Sequence, residues 1–120
     1  MKYRESQEMY LETILVLQNK CGQVRAIDVA TELNYSRASV SRAINLLVER
    51  GYVVVTNGKL QLTTQGKQYA QDIYDRHEVI TKVLMHLGAS QSVAEDNACR
   101  IEHVITPDLV QTMKQFLQNK

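Results

Sequence analysis

The sequence predicts a mostly α-helical protein in which a winged helix-turn-helix is followed by a second, helical domain. Three observations predict this class. Apolar residues recur at helical spacing through most of the 120-residue chain. One Asn-Gly pair separates two short runs of strand-forming residues, and Ser or Thr stands where several helices should begin. We place the domains at residues 1–68 and 69–120.

Three helices are predicted before the strands. Residues 4–20 carry apolar side chains at helical spacing, and Gly22 ends the run. Residues 26–33 form a short amphipathic helix. Ser36 is a good N-cap for a third helix over residues 37–50. The inner face of that third helix is predicted to consist of Val40, Ile44, Leu47 and Val48.

A two-stranded wing is predicted next. Residues 52–56 are rich in β-branched side chains, which favours a strand. Asn57-Gly58 is the strongest short signal for a hairpin turn, and residues 59–63 alternate polar and apolar side chains as the returning strand. A helix, a helix-turn-helix and a hairpin in this order are the components of a winged helix.

The second half is predicted to contain three helices. The first extends from about residue 65 to 87, the second is capped by Ser90 and runs to about residue 105, and the third has Pro107 at its first position. Apolar residues between 91 and 117 exceed what so small a domain buries alone. We therefore assign this region to dimerisation; its apolar residues are Val93, Ile101, Val104, Ile105, Leu109, Phe116 and Leu117.

Composition and charge exclude several classes of protein. No window is apolar over the length that a membrane span requires, and the polar start does not resemble a signal peptide, so we expect a cytoplasmic protein without a membrane partner. Cys21 and Cys99 are far apart and make no disulfide framework. Residues 1–68 hold nine Lys and Arg against six Asp and Glu, and residues 69–120 hold five against seven. A basic first half and an acidic second half suit a nucleic-acid-binding domain joined to a sensing one.

The start of the third helix carries side chains that suit DNA recognition. A recognition helix exposes polar residues at its N-terminal end, where arginine pairs with guanine and serine hydrogen-bonds phosphate. The hairpin tip would contact the DNA backbone or the minor groove. The alternative is a winged helix that pairs with protein or whose polar face is merely solvated. We favour a double-stranded DNA operator, with contacts from Ser36, Arg37, Ser39, Ser41, Arg42, Asn57 and Lys59.

The run Cys99-Arg100-Ile101-Glu102-His103 combines three metal-binding residue types. In a helix, residues three and four apart share a face, so Cys99 would lie beside both Glu102 and His103. A thiol, a carboxylate and an imidazole together form a ligand set for a transition metal. Any one of them alone would be explained by a half-buried helix that carries polar residues, but the three together favour a metal site.

The chain resembles the diphtheria-toxin-repressor family of metal-dependent regulators, which includes the manganese-transport regulators. The resemblance covers essentially the whole chain and rests on residues 8–11 (Glu-Met-Tyr-Leu), 76–78 (Arg-His-Glu) and 98–104 (Ala-Cys-Arg-Ile-Glu-His-Val), with the helix-turn-helix and residues 62–67. It implies a repressor of metal-homeostasis genes that binds a palindromic operator as a metal-loaded homodimer. It implies no small organic substrate, and the SH3-like domain of many members is not expected here.

The resemblance also implies the ligands. Iron-type members use a Met on the first helix with a Cys-x-x-Glu-His run, which gives Met9, Cys99, Glu102 and His103 as the primary site. Two sulfur ligands favour Fe(II), with Co(II) and Ni(II) as in vitro mimics, over Mn(II). Manganese-type members carry acidic residues at the positions of Met9 and Cys99, and they hold a second ion with residues equivalent to Glu12 and His77. Because Glu12 and His77 are both present here, Mn(II) and a second site that includes Glu102 stay open.

A metal held by ligands from both halves is expected to tie the first helix to the sensing helices and to set the spacing of two recognition helices. Two other classes were weighed. One is a metal-free winged-helix regulator with Cys99 as a redox sensor. The other is a small metalloenzyme with Glu102 as general base; it is disfavoured, and no catalytic residue is assigned. Without the resemblance, Met9 would be a core residue, His77 a surface histidine, and Glu8 and Glu12 a solvated face.

Overall fold

The computed structural model describes residues 2–119, with side chains described from residue 7 onward. The chain divides into two compact units, Lys2–Gln71 and Asp72–Lys120, and the division falls within one long helix. The elements in chain order are α1 (Lys2–Cys21), β1 (Val24–Arg25), α2 (Ala26–Leu33), α3 (Arg37–Glu49), β2 (Val53–Thr56), β3 (Lys59–Leu62), α4 (Thr64–His86), α5 (Gln91–Ile101) and α6 (Pro107–Gln118).

The first unit is a winged helix-turn-helix, which confirms the predicted fold class. Between α2 and α3 the chain turns at Asn34, which adopts a left-handed φ of 58°. β2 and β3 pair antiparallel from Val53↔Leu62 to Thr56↔Lys59. The tip of this wing is the Asn57-Gly58 turn, where both φ angles are positive, at 54° and 77°. Such a turn matches the twist of the two strands, which is why this dipeptide closes hairpins.

The sheet has a third strand that the sequence does not predict. β1 is only two residues long, too short for alternation of polar and apolar residues to be recognised. It pairs antiparallel with β3, with Val24 opposite Leu60 and Arg25 opposite Lys59, so the strand order is β1-β3-β2. Val24 is fully buried. The strand exists because β3 offers it a partner, and no local pattern specifies it.

An apolar core lies between the three helices and the sheet of the first unit. One residue expected on the inner face of α3 is exposed, since Val48 retains 40% of its surface. Residues 40, 44 and 47 already complete the buried stripe, and residue 48 lies about 100° further around the helix. The buried apolar residues of this unit are Tyr10, Leu11, Ile14, Leu15, Leu17, Val24, Val29, Ala30, Val40, Ile44, Leu47, Val53, Leu60, Leu62 and Ala70.

The Thr63 side chain and a close approach of Gly66 attach the start of α4 to the segment that leads into the wing. The Thr63 hydroxyl donates to the Gly51 carbonyl at 2.7 Å and accepts the Gly66 N–H at 3.0 Å. Gly66 lies so close to Tyr52 that a Cβ at this position would stand 2.0 Å from the Tyr52 carbonyl oxygen. Only a residue without a Cβ permits this approach.

The second unit contains the rest of α4 with α5 and α6. The Ser90 and Thr106 side chains cap α5 and α6 as predicted, accepting the N–H groups of Val93 and Leu109 at 3.2 Å and 3.4 Å. α5 ends at Ile101, short of the predicted end at residue 105. Residues 102–104 continue as turns, in which the Val104 N–H donates to the Ile101 carbonyl at 3.0 Å. Thr106 is extended, as expected for the residue before a proline.

Few apolar side chains of the second unit are buried, and several large ones are exposed. The buried ones are Ile73, Ile80, Ala94, Ala98 and Val110. No helix in the part of the chain that the structure describes is both long enough and apolar enough to cross a membrane. The large apolar side chains left exposed on this unit are Tyr74, Met85, Leu87, Val93, Val104, Leu109 and Phe116.

Candidate metal centre and nucleic-acid interface

Glu102 is the centre of a polar cluster in the second unit. Its side chain is completely buried, and His103 is only 7% exposed. Glu102 Oε1 lies 2.7 Å from His77 Nδ1, which is a hydrogen bond. Glu102 Oε2 lies 3.5 Å from His103 Nε2, which is close enough for electrostatic attraction but long for a hydrogen bond. A buried carboxylate flanked by two imidazoles is costly unless positive charge accompanies it.

The phase of α5 explains why Glu102 is buried. Ala94 and Ala98 are both fully buried, and Glu102 follows them at the same spacing of four residues. It therefore continues the buried stripe of the helix at the position where α5 ends. Its N–H still donates to the Ala98 carbonyl at 2.9 Å, which holds the residue in helical register. His77 is supplied by α4 within the same unit.

Cys99 has different surroundings from Glu102 and His103. Cys99 is exposed, whereas Glu102 and His103 are buried. Cys99 and His77 line the same surface groove, which has a volume of about 570 Å³. The structure thus brings His77, Glu102 and His103 together and places the Cys99 thiol at the wall of an open groove. The other groove residues are Ser92, Val93, Glu95, Asp96 and Asn97.

Met9 and Glu12, the two predicted ligands on α1, are half-buried. Met9 Sδ accepts a hydrogen bond from the Tyr35 hydroxyl at 3.4 Å. Tyr35 also contacts the Tyr10 ring edge-to-face, with the centroids 6.1 Å apart. Burial and the neighbouring Tyr35 raise the pKa of Tyr10, and Arg42 partly offsets that rise. Met9 is therefore in a polar contact inside the first unit and is not simply a core residue.

Glu8 corrects a sequence interpretation. Taken alone, it was expected on a solvated face, but it is completely buried. Glu8, Leu11 and Leu15 recur at helical spacing and share the inner face of α1, which is why the carboxylate is carried inward. The Tyr69 hydroxyl donates to Glu8 Oε2 at 3.0 Å and so compensates part of the cost of burial.

The start of α3 presents a connected row of polar side chains. Ser36 Oγ accepts the Ser39 N–H at 3.1 Å, and the two hydroxyls are 3.0 Å apart. Arg42 donates to Ser39 Oγ at 3.5 Å. Arg37, Ser41 and Arg42 are exposed, and Ser39 is half-buried. The exposed cations and hydroxyls at this helix start are chemically suited to the edges and phosphates of DNA.

Arg25 is a further cation beside the wing that sequence reasoning missed. It is exposed and pairs with Lys59 across β1 and β3. Its Nη1 lies 3.0 Å from the position that a Cβ on Gly58 would take, so the guanidinium reaches the wing tip. The only signal in the sequence is the dipeptide Val24-Arg25 before the second helix, which is too short to indicate a strand. The wing tip therefore has two neighbouring cations, Arg25 and Lys59.

Two family models match the chain. One is described as the N-terminal DNA binding domain of the iron dependent repressor and matches residues 2–59. The other, described as its metal binding and dimerisation domain, matches residues 63–120. The chain belongs to the iron-dependent repressor family. It is therefore a metal-dependent transcriptional regulator, and its family is one of regulators and not of enzymes.

Individual iron-dependent repressor relatives agree with this assignment and confirm the resemblance found in the sequence. The transcriptional regulator MntR of Escherichia coli O6:H1 is 28% identical over 96% of this chain and 75% of that protein. The diphtheria toxin repressor of Corynebacterium diphtheriae is 27% identical over 96% of this chain and 52% of that protein. The crystal structure of T. acidophilum IdeR matches with a TM-score of 0.83 at 26% identity, over 92% of this chain and 53% of that one.

The iron-dependent repressor models divide the predicted site residues into two groups. His77, Cys99, Glu102 and His103 fall in the match to the metal-binding and dimerisation model. Met9 and Glu12 fall in the match to the DNA-binding model. That second match also contains every predicted DNA contact, from Ser36 to Lys59.

Replacing Ser36 with alanine is expected to destabilise this iron-dependent repressor by about 1 kcal/mol, because the first turn of α3 loses the side chain that accepts the Ser39 N–H. Urea unfolding monitored by circular dichroism measures the change. Ser41→Ala is the matched control, since Ser41 is an exposed serine on the same helix and does not cap it. Equal losses in the two variants would contradict the capping role.

Proposed function

We propose that this chain is a metal-activated repressor of metal-homeostasis genes that binds a palindromic operator as a homodimer. The observation that carries the proposal is the buried Glu102 between His77 and His103, in a unit that matches a metal-binding family model. A carboxylate and imidazoles are ligands that divalent first-row transition metals accept. A bound cation would also neutralise the buried carboxylate, so the residues fit the group that the family implies.

The proposed ligands fall into two sets. Met9, Cys99, Glu102 and His103 form the primary set, and Glu12 with His77 forms a possible second set that shares Glu102. Two sulfur ligands favour Fe(II), with Co(II) and Ni(II) as mimics in vitro. The acidic and imidazole ligands of the second set suit Mn(II) equally well, which is why Mn(II) is the alternative activator.

In the proposed mechanism the Glu102 carboxylate is already oriented before an ion binds. The hydrogen bond from His77 Nδ1 fixes Glu102 Oε1, while Glu102 Oε2 has no hydrogen bond from any residue that the structure describes. The second oxygen is thus the one that remains for coordination. A bound ion would supply positive charge at this carboxylate, and Met9, Cys99, Glu102 and His103 are the residues proposed to hold it. Metal would then raise DNA affinity only as far as it binds the DNA-competent arrangement better.

Dimerisation is proposed for the exposed apolar surface of the second unit. Val93 and Val104 are 53% and 67% exposed, and Leu109 and Phe116 are exposed as well. So many large apolar side chains left exposed on so small a unit are more than isolated surface positions explain, and we assign them to an interface. A symmetric pair would place its two recognition helices at half-sites one helical turn of DNA apart, which makes the operator palindromic.

Metal binding is the first test of this function. We expect the metal-stripped protein, titrated anaerobically, to bind Fe(II) in preference to Mn(II) at one ion per chain, and Cys99→Ala to abolish the preference because a sulfur ligand is lost. Calorimetric titration gives affinity and stoichiometry. If two ions bind per chain and the affinities for Mn(II) and Fe(II) are comparable, the set that includes Glu12 and His77 is the better candidate for the activating site. Binding of neither ion would refute the metal mechanism.

Two arginine variants are expected to distinguish base recognition from phosphate contact. Arg42→Ala should lose about 1–3 kcal/mol of operator affinity and relax sequence preference, because Arg42 lies on the recognition helix. Arg25→Ala should weaken binding to all duplexes alike and reduce the salt slope by about one. Fluorescence anisotropy at several salt concentrations measures both. Lys20→Ala, an exposed cation at the end of α1, is the control and should change neither.

A redox function is the second candidate, and the exposure of Cys99 favours it. An exposed thiol in an open groove is accessible to oxidants, whereas buried cysteines are inert. In this alternative, hydrogen peroxide changes DNA affinity in metal-stripped wild-type protein but not in Cys99→Ser. A metal response that is unaffected by oxidant would exclude it.

A further inference from the structure

Tyr35 lies in the turn between α2 and the recognition helix α3, directly before the N-cap residue Ser36. The Tyr35 N–H donates to the Ala30 carbonyl at 3.1 Å, and the left-handed Asn34 precedes it, so the backbone of the turn is defined. The Tyr35 side chain is 44% exposed. A large aromatic residue is therefore displayed at a turn whose neighbouring residues are small and polar.

The hydroxyl of Tyr35 is directed at the thioether of Met9, with a donor–acceptor distance of 3.4 Å. Methionine has three rotatable bonds and a sulfur that accepts hydrogen bonds weakly, so this contact selects one arrangement from many. A thioether sulfur has two lone pairs. One accepts the Tyr35 proton and the other is available to a metal ion, so both interactions are compatible on one atom.

The far end of the recognition helix is also attached to α1. The guanidinium of Arg50, the residue that caps the C-terminus of α3, donates to Gln7 Oε1. Gln7 in turn donates to the Tyr69 hydroxyl at 3.3 Å. α1 thus contacts both ends of α3, through Gln7 at the C-terminal end and through Met9 and Tyr35 at the N-terminal end.

We propose that Tyr35 is a positioning residue that couples the Met9 thioether to the start of the recognition helix. The proposal rests on the proposed function, because it requires Met9 to be a metal ligand. A metal held by the Met9 sulfur would restrict the rotamers of Met9, and with them the Tyr35 hydroxyl that donates to that sulfur. Ser36 follows Tyr35 directly, so the restraint would extend to the N-terminal turn of α3, which carries the exposed Arg37.

The test compares Tyr35→Phe with wild type in the full chain. Phenylalanine keeps the ring against Tyr10 and removes only the hydroxyl. The matched control is Tyr52→Phe, whose ring contacts Tyr69 edge-to-face in the same unit. Zn(II) is the probe because it is diamagnetic and takes sulfur and imidazole ligands. Backbone NMR should show Zn(II)-induced shifts of the Tyr35, Ser36 and Arg37 amides in wild type and Tyr52→Phe, and their loss in Tyr35→Phe.

A second readout uses the metal dependence of DNA affinity, with Co(II) and a short duplex selected by the Co(II)-loaded wild-type protein from a randomised pool. The factor by which Co(II) raises affinity should fall about three- to tenfold in Tyr35→Phe, which corresponds to one hydrogen bond, while Co(II) affinity of the DNA-free protein stays near the wild-type value. Equal coupling in wild type and Tyr35→Phe would overturn the role of Tyr35 and leave the metal site intact. An equal loss in Tyr52→Phe would also overturn it. Absence of metal binding in wild type would refute the proposed function and the inference with it.

Discussion

Replacing Glu102 with glutamine is expected to weaken metal binding about 150- to 5000-fold and to remove metal-dependent operator binding. The carboxylate is completely buried and lies between two imidazoles, so its charge is the main attraction for a cation in this region of the second unit. Deleting one partner of a buried charge pair typically costs about 3–5 kcal/mol, which converts to that range of affinity. Titration of the metal-stripped variant with Fe(II) and with Mn(II) measures the loss.

Thermal unfolding with and without metal distinguishes a lost ligand from a damaged fold. A ligand at a hundredfold excess over its Kd stabilises the folded protein by about 2.7 kcal/mol. Glu102→Gln should lose that increment, while its metal-free melting temperature stays at or above that of wild type, because an uncharged amide is cheaper to bury. Glu95→Gln is the control, since Glu95 is an exposed acid on the same helix. Full metal-dependent operator binding in Glu102→Gln would eliminate the proposed mechanism.

Replacing Gly66 with alanine is expected to destabilise the winged-helix unit by about 3 kcal/mol, at the upper end of the cost of overpacking. The added Cβ would stand 2.0 Å from the Tyr52 carbonyl oxygen and 2.9 Å from its carbonyl carbon. These are backbone atoms, so no side-chain rotation relieves the overlap. Either α4 or the segment leading into the wing must move, and the hydrogen bond from Gly66 N–H to Thr63 would be strained.

Urea unfolding of Gly66→Ala measures this loss, and Lys67→Ala serves as the control. Lys67 is the next residue on the same helix and is exposed, so alanine there removes no close contact. Because glycine is otherwise a poor helix residue, an open position would be stabilised by alanine by about 1 kcal/mol. A stabilised Gly66→Ala would therefore show that the close approach to Tyr52 does not exist in solution.

Local patterns were sufficient to predict most of the helices and the wing. Ser36, Ser90 and Thr106 cap their helices as expected, and Asn57-Gly58 forms the predicted turn, because capping and turn preferences act within a few residues. The two-residue strand β1 could not be predicted in this way. Its existence depends on β3, which lies more than thirty residues later in the chain.

The candidate metal site shows the same division. The chemical types of the candidate ligands, a thiol, a carboxylate and an imidazole in Cys99, Glu102 and His103, are a property of the sequence, and so is the family resemblance that they carry together with residues 8–11 and 76–78. The environments of these three side chains cannot be read from the sequence. Glu102 is buried because it continues the alanine stripe of α5, whereas Cys99, only three residues earlier, faces an open groove.

The sequence by itself determined the fold class, the family and the chemical types of the candidate ligands, since these depend on spacing and composition. Only the tertiary structure decided which polar groups are buried and what they contact: Glu8 with Tyr69, Met9 with Tyr35, and Arg25 beside the wing. The physical reason is that burial and hydrogen bonding are set by elements distant in the chain. The residues next to a given position in the sequence therefore do not determine its burial or its hydrogen-bond partners.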